Sequence, residues 1–319
     1  MKWAILGAGN IANDFARSFK TEKAELYAVA SRSLEKATAF AKQYAIPVPY
    51  GSYDEMLADE TIDAVYIATP HSHHYEHILL CLNAGKHVFS EKVMVTSRQQ
   101  LDEVMQLAAD KNCYLAEAMT IFHVPLYPQL KQWITNHNLG KLKYIHVPYG
   151  SVRDVGSPIY FYKPELAGGA LFDIGTYALT FALEFMTSPP ADILTFGDIH
   201  ESGVDQTSVI LLKNKENELA TVTLSFATEL PQIAVVAFEK GYFEIKGYTR
   251  AKQAIFTDLE GNKTTIDAND QEHAFTHEIN NFTNMVLEKS DNPTLEKTRN
   301  VITIMDRLRE EWGLVYPFD

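Results

Sequence analysis

Cysteine is scarce: Cys81 and Cys113 are the only two in 319 residues. One pair cannot form a disulfide framework, and reduced thiols suit a cytoplasm, which is the expected location. Long apolar runs are also missing. No stretch reads as long enough to cross a bilayer. Residues 1–6 lead at once into a glycine-rich turn, without the apolar core of a secretory leader. Basic residues are outnumbered, with 28 Lys and Arg against 41 Asp and Glu, a net charge of −13. So acidic a surface argues against non-specific attachment to nucleic acid or to anionic membranes. A phosphorylated ligand stays compatible, because one Arg and a helix N-terminus can hold a phosphate. Repeats and low-complexity tracts are absent. The apolar fraction of 46% and charged fraction of 22% are those of a globular protein, and 319 residues fit one large or two ordinary domains.

In the first 120 residues, short apolar runs alternate with helical spacing. Runs at 2–6, 25–30, 64–68, 87–90 and 114–117 read as buried parallel strands, and 11–20, 34–44, 75–84 and 98–111 as helices. This alternation predicts a doubly wound parallel sheet, a Rossmann domain over residues 1–120. Beyond it the rhythm changes. A helix at 127–137 is followed by strands at 142–152, 192–201, 207–212, 219–228, 233–238, 242–246 and 253–258, with one helix at 170–186 among them. Helices at 271–289 and 295–312 follow. Residues 121–319 therefore read as an α+β domain with a large, mostly antiparallel sheet, its last helix able to pack back on the first domain. Thr221, Thr223 and Ser225 alternate with Val222, Leu224 and Phe226. The polar stripe reads either as a solvated face or as a sheet-to-sheet contact.

Five short stretches carry chemistry. Gly7-Ala8-Gly9-Asn10-Ile11-Ala12 is a G-x-G-x-x-A between the first strand and first helix. Gly7 permits the turn, Gly9 admits a pyrophosphate to the backbone, and Ala12 allows close helix–strand packing. Ser31-Arg32-Ser33 follows the second strand, where an NAD-selective site would place an acid. Arg32 can instead fork onto a ribose 2′-phosphate, which favours NADP while leaving NAD open. Thr69-Pro70-His71-Ser72-His73-His74 begins where the fourth strand ends. Its histidines lack a fourth ligand at metal spacing, so it reads as a cofactor-bordering loop and not as a zinc site. Glu91-Lys92 ends the fifth strand on the same edge. In Gly168-Gly169-Ala170-Leu171-Phe172-Asp173-Ile174-Gly175-Thr176-Tyr177, Asp173 and Tyr177 stand one helical turn apart.

Taken together, and with Glu117-Ala118, these motifs resemble the Gfo/Idh/MocA family of NAD(P)-dependent oxidoreductases over nearly the whole chain. The likeness is greatest to the dihydrodiol dehydrogenase and NADP-dependent aldose dehydrogenase branch, which has Tyr where many members have His; Tyr177 holds that place. The resemblance implies a Rossmann domain followed by an α/β domain with an open sheet used in assembly, hence a homodimer or dimer of dimers. It implies hydride transfer between nicotinamide and a carbinol carbon of a small sugar, polyol or diol. Lys92 and Tyr177 would form the proton-transfer pair, with Asp173 orienting substrate and Lys92. Gly7, Gly9, Asn10, Ile11, Ala12, Ser31, Arg32, Thr69, Pro70, His71, His74, Glu91 and Lys92 would border the cofactor. The chain departs from the family at Val93, where Pro is usual, and at Phe122 and His123, where the branch has an Arg before the equivalent of Pro125. Two alternatives remain: an NADP-binding sensor without turnover, and an NAD-dependent glycoside hydrolase of the same family.

Overall fold

The structure, a computed structural model, describes residues 1–156 and 160–319. Two compact units emerge: Met1–Met119 with Glu272–Arg299, and Thr120–Gln271 with Asn300–Asp319.

The first unit holds six parallel strands: β1 (Lys2–Leu6), β2 (Glu25–Ala30), β3 (Val48–Tyr50), β4 (Ala64–Ile67), β5 (His87–Glu91) and β6 (Leu115–Ala118). Their spatial order is β3-β2-β1-β4-β5-β6. The order reverses between β1 and β4, and doubly wound sheets bind ligands at the carboxyl ends of the strands beside such a reversal. β3 is absent from the expected strands; it is three residues long, contains Pro49 and lies at the sheet edge, where proline is tolerated. The connections are α1 (Asn10–Ser18), α2 (Leu34–Tyr44), α3 (Tyr53–Leu57), α4 (His74–Asn83) and α5 (Arg98–Asp110). Serine caps open three of them: Ser33, Ser52 and Ser97 accept from the N–H groups of Lys36, Glu55 and Gln100.

The second unit starts with α6 (Leu126–His137) and β7 (Leu142–Gly150). A π-helical turn, Leu171–Gly175, runs into α7 (Thr176–Phe185). Next come β8 (Asp192–Ile199), β9 (Asp205–Lys213), β10 (Leu219–Ser225), β11 (Ile233–Phe238), β12 (Gly241–Lys246), β13 (Gln253–Asp258) and β14 (Lys263–Asp267). The eight strands order as β14-β13-β12-β11-β7-β10-β9-β8, and every neighbouring pair except β7–β10 is antiparallel. β14 escaped the sequence because Lys-Thr-Thr-Ile-Asp buries only Ile266. Contrary to the sequence reading, one segment, Pro164–Phe185, has the length and composition of a membrane span, with a mean hydropathy of 1.4; however, 83% of that window is buried inside the protein.

Alternation along β10 turns Val222 and Leu224 inward, followed by a buried Phe226, and leaves Thr221 and Thr223 half-buried on the other face. Ser225 departs from the expected stripe: it is buried, its hydroxyl bonded to Thr207 Oγ1 at 2.8 Å. Exposed apolar residues of this face lie on β10 itself, at Leu219, and on the neighbouring strands. Leu194 and Phe196 of β8 are 68% and 84% exposed, and Val209 and Leu211 of β9 are also exposed.

The chain then returns to the first unit. α8 (Ala274–Glu288) buries Phe275, Ile279 and Phe282 in the aromatic core around Trp3, Phe15 and Phe89. The Trp3 and Phe282 rings are 5.2 Å apart, and Trp3 Nε1 donates to Thr283 Oγ1 at 3.2 Å. α9 (Leu295–Trp312) contributes to both units, up to Arg299 in the first and from Asn300 in the second. The partition thus differs from a single boundary after residue 120. It is mainly α8, not the last helix, that completes the Rossmann core. Its i, i+4, i+7 stripe marks it as amphipathic but does not say which sheet it covers.

Candidate active site

The cofactor edge begins at Gly7. Its φ is +103°, and its N–H donates to Ala30 O at 2.9 Å. A Cβ there would lie 3.0 Å from Ala68 O, so the turn threads between the ends of β2 and β4 and only glycine fits. Gly9 differs. Its φ of −95° suits any residue, and a Cβ would meet only Ala68 O, at 3.6 Å. No protein atom demands glycine at this exposed position. Space kept for a ligand explains it. α1 opens on Gly9 without a side-chain cap and with no acid in its first turn. The N–H groups beginning at Asn10 and Ile11 are therefore available to an anion, at the positive end of the helix. Ala12 is fully buried against the sheet. These features fit the pyrophosphate of a dinucleotide.

At the end of β2, Ser31 is half-buried and Arg32 exposed. Ser33 caps α2 as expected, accepting from Lys36 N at 3.3 Å. The charge of Arg32 reaches Tyr53 and His77, lowering the proton affinity of each. Burial is the larger effect on both: it raises the Tyr53 phenol and lowers His77 to about 4. His77 Nδ1 contacts Thr69 Oγ1 at 3.0 Å, and its ring packs on Tyr53 at 5.0 Å. Sequence reasoning left Tyr53 and His77 out of the site: His77 reads as part of a helix, and Tyr53 belongs to no motif, its short helix α3 being absent from the expected elements.

The loop after β4 and the loop after β5 are joined by one ring. His74, fully buried, contacts Thr69 O through Nε2 at 2.7 Å and Val93 O through Nδ1 at 2.8 Å. Burial holds its pKa down at about 4, against the pull of the two carbonyls. A neutral ring has one N–H, so one carbonyl at a time accepts a hydrogen bond from it. Pro70 opens the short turn His71–His73, and His71 is buried with its ring 5.8 Å from that of His74. Among the described residues no group of three or more His, Cys, Asp or Glu is arranged to hold a metal ion.

Lys92 follows β5, half-buried, and the Lys92–Val93 peptide bond is cis. Two buried carboxylates flank the loop. Glu91 accepts from the Tyr66 hydroxyl and, at 3.2 Å, from Lys92 N. Glu117 Oε1 accepts from Met94 N at 3.0 Å and its Oε2 from Thr298 Oγ1 at 2.9 Å. Burial raises the Glu117 pKa, and Glu91 adds to the rise, while the two hydrogen bonds and the Lys92 charge lower it. Glu91 thus holds the Lys92 N–H, while His74 and Glu117 hold the next two residues, Val93 and Met94.

In the second unit, Asp173 lies within the π-helical turn, buried, and Tyr177 is half-buried in the first turn of α7. The Asp173 carboxylate is occupied within its own unit. It accepts from the Tyr160 hydroxyl at 2.9 Å and from Arg153 at 3.3 Å. Arg153 lies over the Phe161 ring, 4.4 Å from its centroid. Tyr149 is the aromatic neighbour of Tyr177, at 6.5 Å. The carboxylate thus joins Arg153 to Tyr160, a role the sequence did not reveal because both lie outside any periodic element. Tyr162 accepts from Gln206 Nε2 and packs on Phe226, as a core residue does.

The His74 clamp has a pH signature. Unfolding frees the ring to bind protons at its ordinary pKa of 6.5, whereas the folded ring resists until about 4. The unfolded state then binds more protons between these values, so stability is lost as pH falls through this window. His74→Gln should remove this share, and the wild type should lose up to roughly 3 kcal/mol more than the variant between pH 6.5 and 4. Urea unfolding at both pH values measures it, and parallel losses in the two proteins would refute it.

Comparison with known proteins agrees with this geometry. Residues 1–119 match the model of the oxidoreductase family GFO_IDH_MocA, NAD-binding Rossmann fold, and residues 127–244 match the GFO/IDH/MocA C-terminal domain. The chain is 31% identical over 340 aligned residues to a trans-1,2-dihydrobenzene-1,2-diol dehydrogenase of Xenopus laevis, covering 99% of both. It is 29% identical to the scyllo-inositol 2-dehydrogenase (NADP(+)) IolU of Bacillus subtilis, covering 100% of this chain and 99% of that protein. Among solved structures, KijD10, a 3-ketoreductase of Actinomadura kijaniata in complex with NADP and TDP-benzene, has a TM-score of 0.86 at 21% identity over 97% of both chains. That likeness is one of fold. The chain belongs to the Gfo/Idh/MocA family of NAD(P)-dependent oxidoreductases.

Proposed function

We propose that this chain is an NADP-dependent dehydrogenase or reductase acting on a carbinol carbon of a diol, polyol or sugar. The observation that carries the reading is the edge of the six-stranded sheet: an uncapped α1 under Gly9, with exposed Arg32 where an acid would select NAD. The activities printed for the diol and inositol dehydrogenases support it. NADP(H), when bound, supplies or accepts the hydride. The chain's own residues hold its pyrophosphate at α1, fork onto its 2′-phosphate through Arg32, and move the substrate's hydroxyl proton. Arg32→Ala should weaken NADPH binding by more than about 1 kcal/mol, typical of a charge-assisted bond, and change NADH binding little. Fluorescence titration of both cofactors checks this, and equal affinities of the unmutated protein for the two would end it.

Proton transfer falls to Lys92 and Tyr177. In oxidation the phenolic oxygen takes the substrate hydroxyl proton, and in reduction it returns one, with the ammonium of Lys92 favouring the charged oxygen. Lys92→Met and Tyr177→Phe should each lower turnover by roughly 10²–10⁴. NADPH affinity should change far less. The double variant should be little worse than the poorer single one, as members of one unit are non-additive. Steady-state NADPH consumption across aldoses, inositols and diols measures this. Full activity of both single variants would refute the assignment, and absence of turnover in the wild type would favour a sensor.

The enzyme assembles as a homodimer, or a dimer of dimers, through the outer face of the eight-stranded sheet. Exposed Leu194, Phe196, Val209 and Leu211 beside Thr221 and Thr223 support this reading. Free Cys81 and Cys113 support a reducing cytoplasm. Light scattering should give at least twice the chain mass at micromolar concentration, and Phe196→Arg or Thr223→Arg should halve it. A monomeric wild type would remove the proposal.

A further inference from the structure

Behind the turn that carries Asp173 lies a buried polar cluster drawn from three distant parts of the second unit. Asp205, the first residue of β9, is wholly buried. Its Oδ2 accepts from Leu171 N at 2.7 Å, at the start of the π-helical turn. A carboxylate at that point satisfies an N-terminal donor that the helix itself leaves open. Its Oδ1 faces Gly169, where a Cβ would approach to 2.2 Å. Gly169 has φ +114°, and only glycine holds that backbone against the carboxylate. Tyr316, beyond α9, is buried as well, and its hydroxyl donates to Gly168 O at 2.6 Å. The phenol is itself fixed. Tyr316 N donates to Asp319 Oδ2 at 2.7 Å, Asp319 pairs with Arg309, and the Arg309 guanidinium lies 5.0 Å from the Tyr316 ring centroid. The same two glycines bind the segment that reaches Asp173 from the other side: Gly168 N donates to Lys163 O at 3.0 Å and Gly169 N to Phe161 O at 2.8 Å.

We infer that Asp205 and Tyr316 are positioning residues for the reaction, setting the Gly168–Gly169 turn from which Asp173, Tyr160 and Tyr177 take their places. The inference rests on the reading that Tyr177 transfers the proton. Neither residue meets substrate; both act through the backbone of the turn. A displacement of about 1 Å at a proton-transfer group can lower a rate 10²-fold, so a remote loss of grip is measurable.

The test compares Asp205→Ala, Asp205→Asn, Tyr316→Phe, Tyr177→Phe and the double variant Asp205→Ala/Tyr177→Phe. Turnover is normalised to NADPH-binding sites, which removes any unfolded fraction. Asp205→Ala should lower kcat by roughly 10–10² and Tyr316→Phe by about 10, with KM and NADPH affinity changed less than threefold. Asp205→Asn keeps an acceptor for Leu171 N and should restore most of the rate. Burial pushes the Asp205 carboxyl up to about 7, so a neutral amide is a fair stand-in for it. The double variant should be no slower than Tyr177→Phe alone, because a positioning residue acts only through the group it places. A double variant slower by the full product of the two effects would overturn the inference in favour of a general structural role. So would wild-type kcat in both Asp205→Ala and Tyr316→Phe while Tyr177→Phe is impaired. Tyr316→Phe keeps the test decisive if Asp205→Ala does not fold. Full activity in Tyr177→Phe would strike the reading beneath, a result distinct from the other two.

Discussion

Close approach of backbone to backbone at Gly7 is the contact on which the cofactor edge depends. The glycine bonds Ala30 O at the end of β2 and leaves no room for a side chain beside Ala68 O after β4. That squeeze brings the ends of β2 and β4 to one point beside β1, where the strand order reverses. α1 then starts from Gly9 with its first N–H groups uncapped, while α2, α3 and α5 each receive a serine. Uncapped donors at a sheet's ligand edge are retained when something else fills them.

The second unit uses the same device. Gly169 brings its backbone against a carboxylate, as Gly7 brings its own against a carbonyl. In both units buried polar groups from sequence-distant segments then fix the loops. His74 ties Thr69 to Val93, Glu117 ties Met94 to Thr298, and Asp205 ties β9 to the start of the π-helical turn. A buried polar group left without its partner is expensive, so each tie favours one loop geometry strongly over its neighbours. Rigid placement is what an enzyme needs when its cofactor supplies the reactive electrons and the protein supplies orientation and protons.

Much of this was legible in the sequence. Apolar runs such as Trp3–Leu6 and Val235–Phe238 had strand length, and G-x-G-x-x-A stood where a Rossmann turn requires it. The lost elements were those whose composition hides their state. β3 carries a proline, β14 buries one side chain, and the π-helical turn has the apolar content of the helix it joins. The site followed the same rule. Arg32 and Lys92 were expected on the sheet edge because each follows a strand, and His74 because it lies in the loop after one, positions set by local pattern. The partners of Asp173 could not, because Arg153 and Tyr160 lie in no periodic element of the sequence. α8 was legible as a helix but not as part of the Rossmann core, since an apolar stripe does not name its partner.

Charge bears on the open sheet face in a way composition alone did not reveal. With a net charge of −13, two copies of the chain repel, so a face that brings them together must be locally poor in acid. The central rows of the sheet meet this condition. Leu194, Leu211, Thr221 and His146 stand in register across β8, β9, β10 and β7, and so do Phe196, Val209, Thr223 and Pro148. On these four strands neither row holds a carboxylate; Asp192 and Asp198 lie farther along β8 on either side of them, and Glu244 lies two strands beyond His146. Tyr144 and His146 both turn their polar atoms to Thr221 Oγ1, at 2.6 and 2.9 Å, which leaves ring surface outward. An apolar centre with acids at its margin is the anatomy of a protein interface, where apolar area supplies affinity and rim charge opposes misaligned pairing. For the proposed assembly, the chain's excess of acid therefore narrows where on this surface a second copy would settle.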